Sequence, residues 1–528
     1  MLVGMSQSLL SEESMLLHAT KQLNAGSNGI TDEWELIDLA DLNFRSAELA
    51  ARKTSFLSAV EYLEEGMKHI DNAKGWDKHY KRCLRFSVAL SRMQLSCGLS
   101  DDSWKTSDAV IANAKSVSDA SEVYRTRFLY LLQHNLLNEA LEMVIHVLRM
   151  LGEYVPRRFV LCHAIRQLAK ARQFISETSV EELLRLPMLH DEDQEMLLDF
   201  LLSLTEIAFM LDMKDLLLYT MSRYIVLIDD RGMYPGSFVG ILLWACHHET
   251  RMGNIGNALK FGELARKLAS EQKQSTPGLV ARADGLFCFF VAHWTEAFPL
   301  SLELDTNAFQ TMWESGYVDA ALMDAGALLQ HHFASGTFLP TLMKLCDSYT
   351  EICEDYQHTT HWYVNASQHQ AMLNFLGRSQ DPKILNGSAM DLEGCRSVWR
   401  ESPNPMAIFY AQFWSMILAF HFGDIERATT EIESMRKDIF KDGPAPAVPL
   451  RLLYSGLVHF RAHRNTGKRK DRRKAIASMK ILQLWSAKGA INCIYMSQLL
   501  EAEFEASKDN LSTRPRHSIY SGLETDSS

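Results

Sequence analysis

Apolar side chains recur along this chain with the period of an α-helix. In residues 121–152, SEVYRTRFLYLLQHNLLNEALEMVIHVLRMLG, the side chains Tyr124, Phe128 and Leu131 are spaced by four and three. Beyond Asn135, Leu137, Leu141, Val144, Leu148 and Leu151 step by four, three, four and three. Such spacing lays one apolar stripe on each of two helices that turn once per ~3.6 residues. Asn135, between them, suits a left-handed turn, which most residues enter only with strain. Ala140 is small where two helices leaving one elbow come close. A single hairpin of this kind leaves apolar surface uncovered, so the pattern predicts like neighbours stacked on it.

The neighbours are present. A Gly or Asn followed five positions later by a small residue recurs at Gly98 with Ser103, Gly253 with Ala258, and Gly423 with Ala428. Thr54 with Ala59 is a looser copy, and Lys470 with Ala475 a degenerate one. The turns at 54, 98 and 135 are separated by spans close to the ~34–47-residue periods of helical repeats. The expectation is an all-α, tetratricopeptide-like helical-repeat solenoid. Residues 1–30 read as a lead-in that continues an upstream domain. Thr31 and Asp32 then cap a helix running through Trp34, Leu36, Ile37 and Leu39. Repeats fill 31–378 and 406–508. Residues 379–405 are expected to form an irregular connection, 441–449 a shorter one, and 509–528 a polar, disordered tail. All 13 prolines lie at or beyond Pro156, and several (Pro187, Pro235, Pro277, Pro299, Pro340) punctuate helix ends. No run alternates apolar and polar residues between strand-type turns.

Composition narrows the class. The 528 residues are 47% hydrophobic and 23% charged, enough apolar content for a large core. The net charge of −11 argues against general binding to nucleic acid or anionic membrane. No apolar run reaches the ~18–20 residues of a membrane span, and no basic region precedes the short apolar stretch at the start. A cytoplasmic protein is the expectation. Nine cysteines without a CxxC pair read as reduced, mostly buried small hydrophobes.

Three blocks carry a family resemblance: LNAGSNGITDEWELIDLADLNFRSAELAARKTSFLSAVEYLEEGM, ALMDAGALLQHHFASG and FWSMILAFHFGDIERA. With the hairpin at 121–152, they resemble the helical segment of large signalling proteins. Those proteins join a protein-kinase-like domain and an AAA/STAND-type ATPase to it, often followed by GAF and histidine-kinase domains. The resemblance runs from Leu23 to Ala506. It implies either a stand-alone descendant of that module or a fragment of a longer product. It carries over no catalytic residue, since neither a GxxxxGK[ST] phosphate loop nor a kinase HRD or DFG set occurs.

Other candidate chemistry is thin. His247, His248 and Glu249 begin a zinc-protease pattern, but its second ligand position is Met252. His358, His361 and His369, beside Trp362 and Tyr363, could ligate metal from one helical face, though no carboxylate or thiol at helical spacing completes a set. Gly232, Gly236 and Gly240 are interrupted by Pro235 and read as a connection into a helix. The basic run Arg461–Lys474 offers a nuclear-import signal or an anionic-partner patch, but it lacks aromatics for base stacking and reads as a solvated inter-helix turn. No catalytic, cofactor or metal residue is assigned. The expected function is a non-catalytic interaction scaffold or regulatory module of a signalling ATPase or kinase. Its concave surface would hold a peptide or a partner domain, including its own missing domains. The alternatives are an enzyme whose site leaves no sequence motif and a passive spacer between catalytic domains. Residues 1–23, rich in leucine, are expected to drive self-association.

Overall fold

The computed structural model describes residues 2–53, 55–72, 75–178, 180–183, 185–189, 191–234, 236–244, 254–271, 276–435 and 445–509; for 2–12, 180, 181, 508 and 509 it describes the backbone alone. The described residues are helices and their connections, without a β-strand. The chain is an all-α helical repeat.

The hairpin elbows share one backbone device. At Gly98 the chain turns left-handed (φ +73°), the Gly98 N–H donates to the Leu95 carbonyl at 3.0 Å, and the Leu99 N–H donates to the Gln94 carbonyl at 2.9 Å. This pair of reversed bonds is a Schellman cap, which satisfies carbonyls that a helix end leaves open. Asn135 (φ +57°) repeats it, with Leu136 N–H on the Leu131 carbonyl at 2.8 Å. So does Gly423 (φ +82°), with Asp424 N–H on the Ala419 carbonyl at 2.8 Å. In each case the next residue (Leu99, Leu136 or Asp424) is already the N-cap of the second helix. The small residue five places after the turn therefore sits one helical turn inside that helix. Ser103, Ala140 and Ala428 are all buried there. Gly316 (φ +79°) with Ala321 is a further copy, its Tyr317 N–H bonding the Met312 carbonyl at 2.9 Å. It carries the same sequence signal as the others, a glycine with a small residue five places on. Thr54 and Gly253 lie outside the described residues, while Ala59 and Ala258 are fully buried. The degenerate copy differs: Gly467 (φ +70°), not Lys470, makes the turn before the buried Ala475.

Contacts divide the chain into two compact units. The first comprises Met1–Val160, Met188–Ile207 and Cys353–Thr360; the second comprises Leu161–Pro187, Ala208–Ile352 and His361–Ser528. In the first, helix Leu2–Gly26 lies against helix Glu33–Arg52, and successive hairpins follow through Leu137–Met150. Asp32 caps Glu33–Arg52 as expected, its Oδ1 accepting the Trp34 and Glu35 N–H groups at 2.9 and 3.0 Å. One apolar cluster runs through Ile37, Leu63, Ile70 and Phe86, with Leu17 of the first helix packed on it. Polar side chains stitch the same helices. Asn24 and Asn43 exchange two amide bonds of 2.8 Å, and the Thr20 and Ser46 hydroxyls meet at 2.8 Å. Of the leucine-rich start, Leu17 is turned to the core while Met15 and Leu23 are exposed.

In the second unit, helices Phe298–Glu314 and Val318–Ala334 pair, as do Pro405–His421 with Ile425–Ser434 and Ala447–Thr466 with Arg469–Ala487. Pro277, Pro299 and Pro340 all stand in first helical turns, where a missing N–H costs nothing. Pro235 lies outside the described residues. Residues 379–405 are not one irregular connection: Leu392–Glu401 is helical, capped by Asp391, whose Oδ1 accepts the Gly394 N–H at 3.2 Å. Its apolar content was too sparse to read, since Leu392, Cys395 and Trp399 are the three residues it buries. The irregular part before it is held by helix Thr359–Phe375. The Gln370 Oε1 accepts the Ala389 N–H at 3.0 Å, and the Asn374 amide donates to the Ile384 carbonyl at 2.6 Å. Of 441–449, residues 441–444 are not described and Ala447 begins a helix. The tail from 510 is likewise outside the described residues, and Asp509 closes the last helix.

Ala140 is fully buried at its elbow, whereas Glu142 points outward and pairs with Arg157 at 2.5 Å. Ala140→Trp should lower the urea midpoint strongly, because overpacking a tight contact costs about 1–3 kcal/mol or more. Glu142→Trp should cost roughly 0–1 kcal/mol, the value of an exposed ion pair. Equal midpoints in parallel urea melts would contradict the elbow packing.

Candidate functional site

A solvent-open cleft of about 230 Å³ lies in the second unit, between the helix that follows the irregular segment and the one after it. Helix Leu392–Glu401 contributes Leu392, Arg396, Trp399 and Arg400, which fall on one face by their spacing. Helix Pro405–His421 contributes Ile408, Ala411 and Gln412 at steps of three and one. The short joint between them is fixed by Asn404, whose Oδ1 accepts the Ala407 N–H at 2.9 Å, and by Pro405 in the first turn. Leu392, Ile408 and Ala411 make the apolar part of the lining. The Trp399 ring packs edge-on to Tyr363 at 5.3 Å, which fixes its plane.

The polar groups of the cleft are unequally satisfied. Arg396 Nη1 donates to Glu393 Oε1 at 2.7 Å, and its Nη2 stands 3.9 Å from Glu431 Oε1. Burial pushes the Glu431 carboxyl up, with Arg396 and Arg427 pulling the other way. Arg400 is exposed, and its guanidinium meets no carboxylate among the described residues. Trp399 Nε1 and Gln412 Oε1 are both shielded from solvent, and neither has a hydrogen-bond partner in the protein. The buried indole nitrogens of Trp294 and Trp414 likewise have no hydrogen-bond partner in the protein, so this does not distinguish the cleft.

The residues singled out from sequence fall elsewhere. His247, His248 and Glu249 lie outside the described residues. His361 Nε2 approaches Asp319 Oδ1 at 3.3 Å; His369 Nδ1 approaches the Thr350 hydroxyl at 3.2 Å and its Nε2 stands 3.7 Å from Asp347 Oδ1. His361 and His369 thus serve different partners rather than one ligand set. His358 is buried at a hairpin elbow, its N–H bonded to the Cys353 carbonyl at 2.7 Å. Gly232 ends helix Lys214–Arg231 at φ +103°, and Gly240 lets helix Ser237–Trp244 rest on Tyr224, whose ring a Cβ would meet at 2.1 Å. The basic run spans the elbow at Gly467. Arg464 pairs with Glu503, Lys474 with Glu433, and Arg472 lies over the Phe504 ring. Among the described residues no cysteine forms a disulfide; burial pushes the Cys83 thiol up to about 11 and that of Cys493 to about 12. Cys162 is exposed.

One ionisable cluster escaped the sequence reading. Asp305 and Asp324, on the paired helices Phe298–Glu314 and Val318–Ala334, are buried within hydrogen-bonding reach of each other. Asp305 Oδ2 stands 2.7 Å from His331 Nδ1, and both side chains are wholly buried. Burial pushes both carboxyls far above the ordinary range and pushes His331 down to about 4. An Asp305–His331 ion pair would place two charges where water is absent. The arrangement with Asp324 donating to Asp305, and Asp305 donating to His331, holds the same number of protons and no charge; burial favours it. Gly285 makes room, since a Cβ there would lie 2.7 Å from Asp324 Oδ1. The adjoining cavity, about 10 Å³ and lined by Arg282, Phe289, Met312 and Met323 besides Asp324, has space for about one water and none for a substrate. The cluster is structural. Its signal, two acids and a histidine at helical spacing among apolar residues, exists in the sequence but needs the pairing of the helices to mean anything.

No described protein family matches the chain, and no curated protein matches it in sequence. Among solved structures it is similar to a chain of Naa15/Naa10 bound to HypK-THB, at 10% identity over 94% of this chain and 77% of that one, with a TM-score of 0.22. A circular tandem repeat protein with a novel repeat topology matches at 11% identity over 96% and 98%, with a TM-score of 0.13. Likenesses this distant bear on neither activity nor partner. No helix among the described residues is long and apolar enough to cross a membrane.

The buried acids predict a pH dependence. Their folded values are raised, so the folded chain binds more protons than the unfolded one above the ordinary carboxylate range. The stability they contribute is therefore full at low pH and is lost as pH rises towards their raised values. His331, whose value is lowered, offsets part of this between about pH 4 and its ordinary value near 6.5, and nothing above it. Thermal midpoints should fall from pH 6.5 to 9, with a slope of up to ~1.4 kcal/mol per pH unit for each proton released. Asp324→Asn, which mimics the protonated acid, should flatten that fall. A wild-type chain as pH-sensitive as the Asn variant would show that the acids are not held protonated.

Proposed function

We propose that this chain is a non-catalytic interaction scaffold, a stack of helical hairpins that holds a peptide segment of a protein partner. The observation that supports it best is the open cleft between helices Leu392–Glu401 and Pro405–His421, lined by apolar Leu392, Ile408 and Ala411 and by the exposed Arg400. Repeated helical hairpins expose long surfaces on rigid elements, and such surfaces suit recognition of extended or helical segments. The ionisable groups gathered in the core of the second unit, by contrast, adjoin a cavity too small for a substrate. The family resemblance supports a regulatory setting beside a signalling ATPase or kinase, whose domains, in the same product or in a separate chain, would be the natural partners.

Two outcomes are expected. Titration calorimetry of the chain with Mg-ATP should give no saturable heat, since the sequence holds no phosphate loop; stoichiometric micromolar binding would reverse the non-catalytic reading. Selection of displayed random peptides on the immobilised chain should enrich convergent sequences, with none enriched on a urea-unfolded control. Absence of enrichment would sink the scaffold reading.

A further inference from the structure

We infer that the outer face of the last described helix, Asn492–Asp509, docks a second copy of this chain, antiparallel across a two-fold axis. Its residues are separate from those of the cleft, so peptide selection and self-association are read independently.

The helix has two apolar faces. Cys493, Met496 and Leu500 are buried on the side that meets helices Ala447–Thr466 and Arg469–Ala487. On the other side Ile491, just before the helix, and Ile494, Tyr495 and Leu499 within it are 41–45% exposed. Their steps of three, one and four mark a single stripe on a helix surface. The elbows at Gly98 and Gly423 bury a small residue five places after the left-handed turn. Here the turn is Gly489 (φ +100°), and the fifth residue is the exposed Ile494. Leu484 (53%) and Ile481 (38%) widen the stripe on helix Arg469–Ala487. The two outer faces meet where the Gln483 amide donates to Glu501 Oε1 at 2.6 Å.

A repeat whose outer side is left open needs a polar face there to stay apart from other molecules. This face is apolar at its centre. Side chains of this size offer on the order of 200 Å² when fully open, so the six leave roughly 500 Å², large for one patch on a monomer. Counted from both copies, about 1,000 Å² reaches the size of a small specific interface.

The order of residues selects the partner. Lys488 stands exposed near one end of the stripe and Glu505 near the other. About a point between Met496 and Ser497 the stripe is symmetric in position: Ile494 mirrors Leu499, Ile491 mirrors Ala502, and Lys488 mirrors Glu505. Two copies laid antiparallel therefore set aliphatic against aliphatic in the middle and Lys488 against Glu505 at both ends. A parallel arrangement would oppose like charges, which weakens association. A two-fold axis makes each of these contacts twice from one self-complementary patch.

The test is sedimentation velocity of the full chain from about 1 to 100 µM, the range suited to a small interface. The wild type should pass reversibly from monomer to dimer across it. Leu499→Glu, at an exposed position, should weaken the dimer at least about tenfold, because each copy then sets a charge against the other's Ile494. Its circular dichroism melt should match the wild type. Lys488→Glu and Glu505→Lys should each weaken the dimer about fivefold, since both ends then carry like charges. An equimolar mixture of those two variants should dimerise as well as the wild type, because each end again pairs opposite charges. That mixture decides the matter if Leu499→Glu lowers the melt. A wild type that stays monomeric at the top of the range, as when another segment of the same chain covers the stripe, would overturn the assignment. So would a dimer indifferent to Leu499→Glu, or a mixture no better associated than either variant alone. A dimer lost in Leu23→Glu but kept in Leu499→Glu would put the contact on the first helix instead, and would overturn it too.

Discussion

The elbow between the two helices of a repeat is the constraint on which the described structure depends. A helix ends with carbonyls that nothing in the helix can satisfy, and in a hairpin that end lies against a neighbour. The left-handed residue at Gly98, Asn135, Gly316 or Gly423 turns the next N–H groups back onto those carbonyls. The residue after it, already an N-cap, starts the next helix without a spacer. Helices joined so tightly must touch within one turn, and this is why Ser103, Ala140, Ala321 and Ala428 are small and buried. Replacing the turn residue strains the backbone, while replacing the small residue overfills the contact.

Apolar stripes alone would let such hairpins slide along one another. Buried polar groups hold the register, because a shift of one turn would leave them unpaired. In the first unit the Asn24–Asn43 amide pair and the Ser91–Ser107 contact of 2.8 Å play this part. In the second unit the last helix is tied back by Asn492, whose amide donates to the carbonyls of His293 and Glu296 at 2.7 Å each. Those carbonyls follow the π-helix Cys288–Ala292, whose wider turn displaces the usual bonding pattern. The Asp305–Asp324–His331 cluster belongs to the same group of contacts. Burial holds its two carboxyls well above, and His331 below, their ordinary ranges, which predicts a pH-dependent part of the core.

The cleft follows from an interruption of the repeat. After helix Thr359–Phe375 the chain leaves the hairpin rhythm, and the segment before Asp391 is pinned by Gln370 and Asn374 rather than by an elbow. The helix that emerges, Leu392–Glu401, is only ten residues long and buries three of them. Its face with Leu392, Arg396, Trp399 and Arg400 lines the cleft against helix Pro405–His421. A regular second helix of a repeat would be expected to cover more of that face.

The sequence determined the fold class, the elbows at Gly98, Asn135 and Gly423, and the cap at Asp32. Each of these is set by residues within about one turn of each other, where periodicity and turn chemistry act directly. It did not reveal helix Leu392–Glu401, whose few buried residues lie below what periodicity can register. Nor could it show that Asp305, Asp324 and His331 meet in one buried cluster, that Asn492 answers carbonyls near residue 293, or that Trp399 and Gln412 lack partners. Those facts depend on which helix faces lie against which, and packing between distant segments decides that, because hydrogen-bond satisfaction and desolvation are properties of the surroundings rather than of the residue.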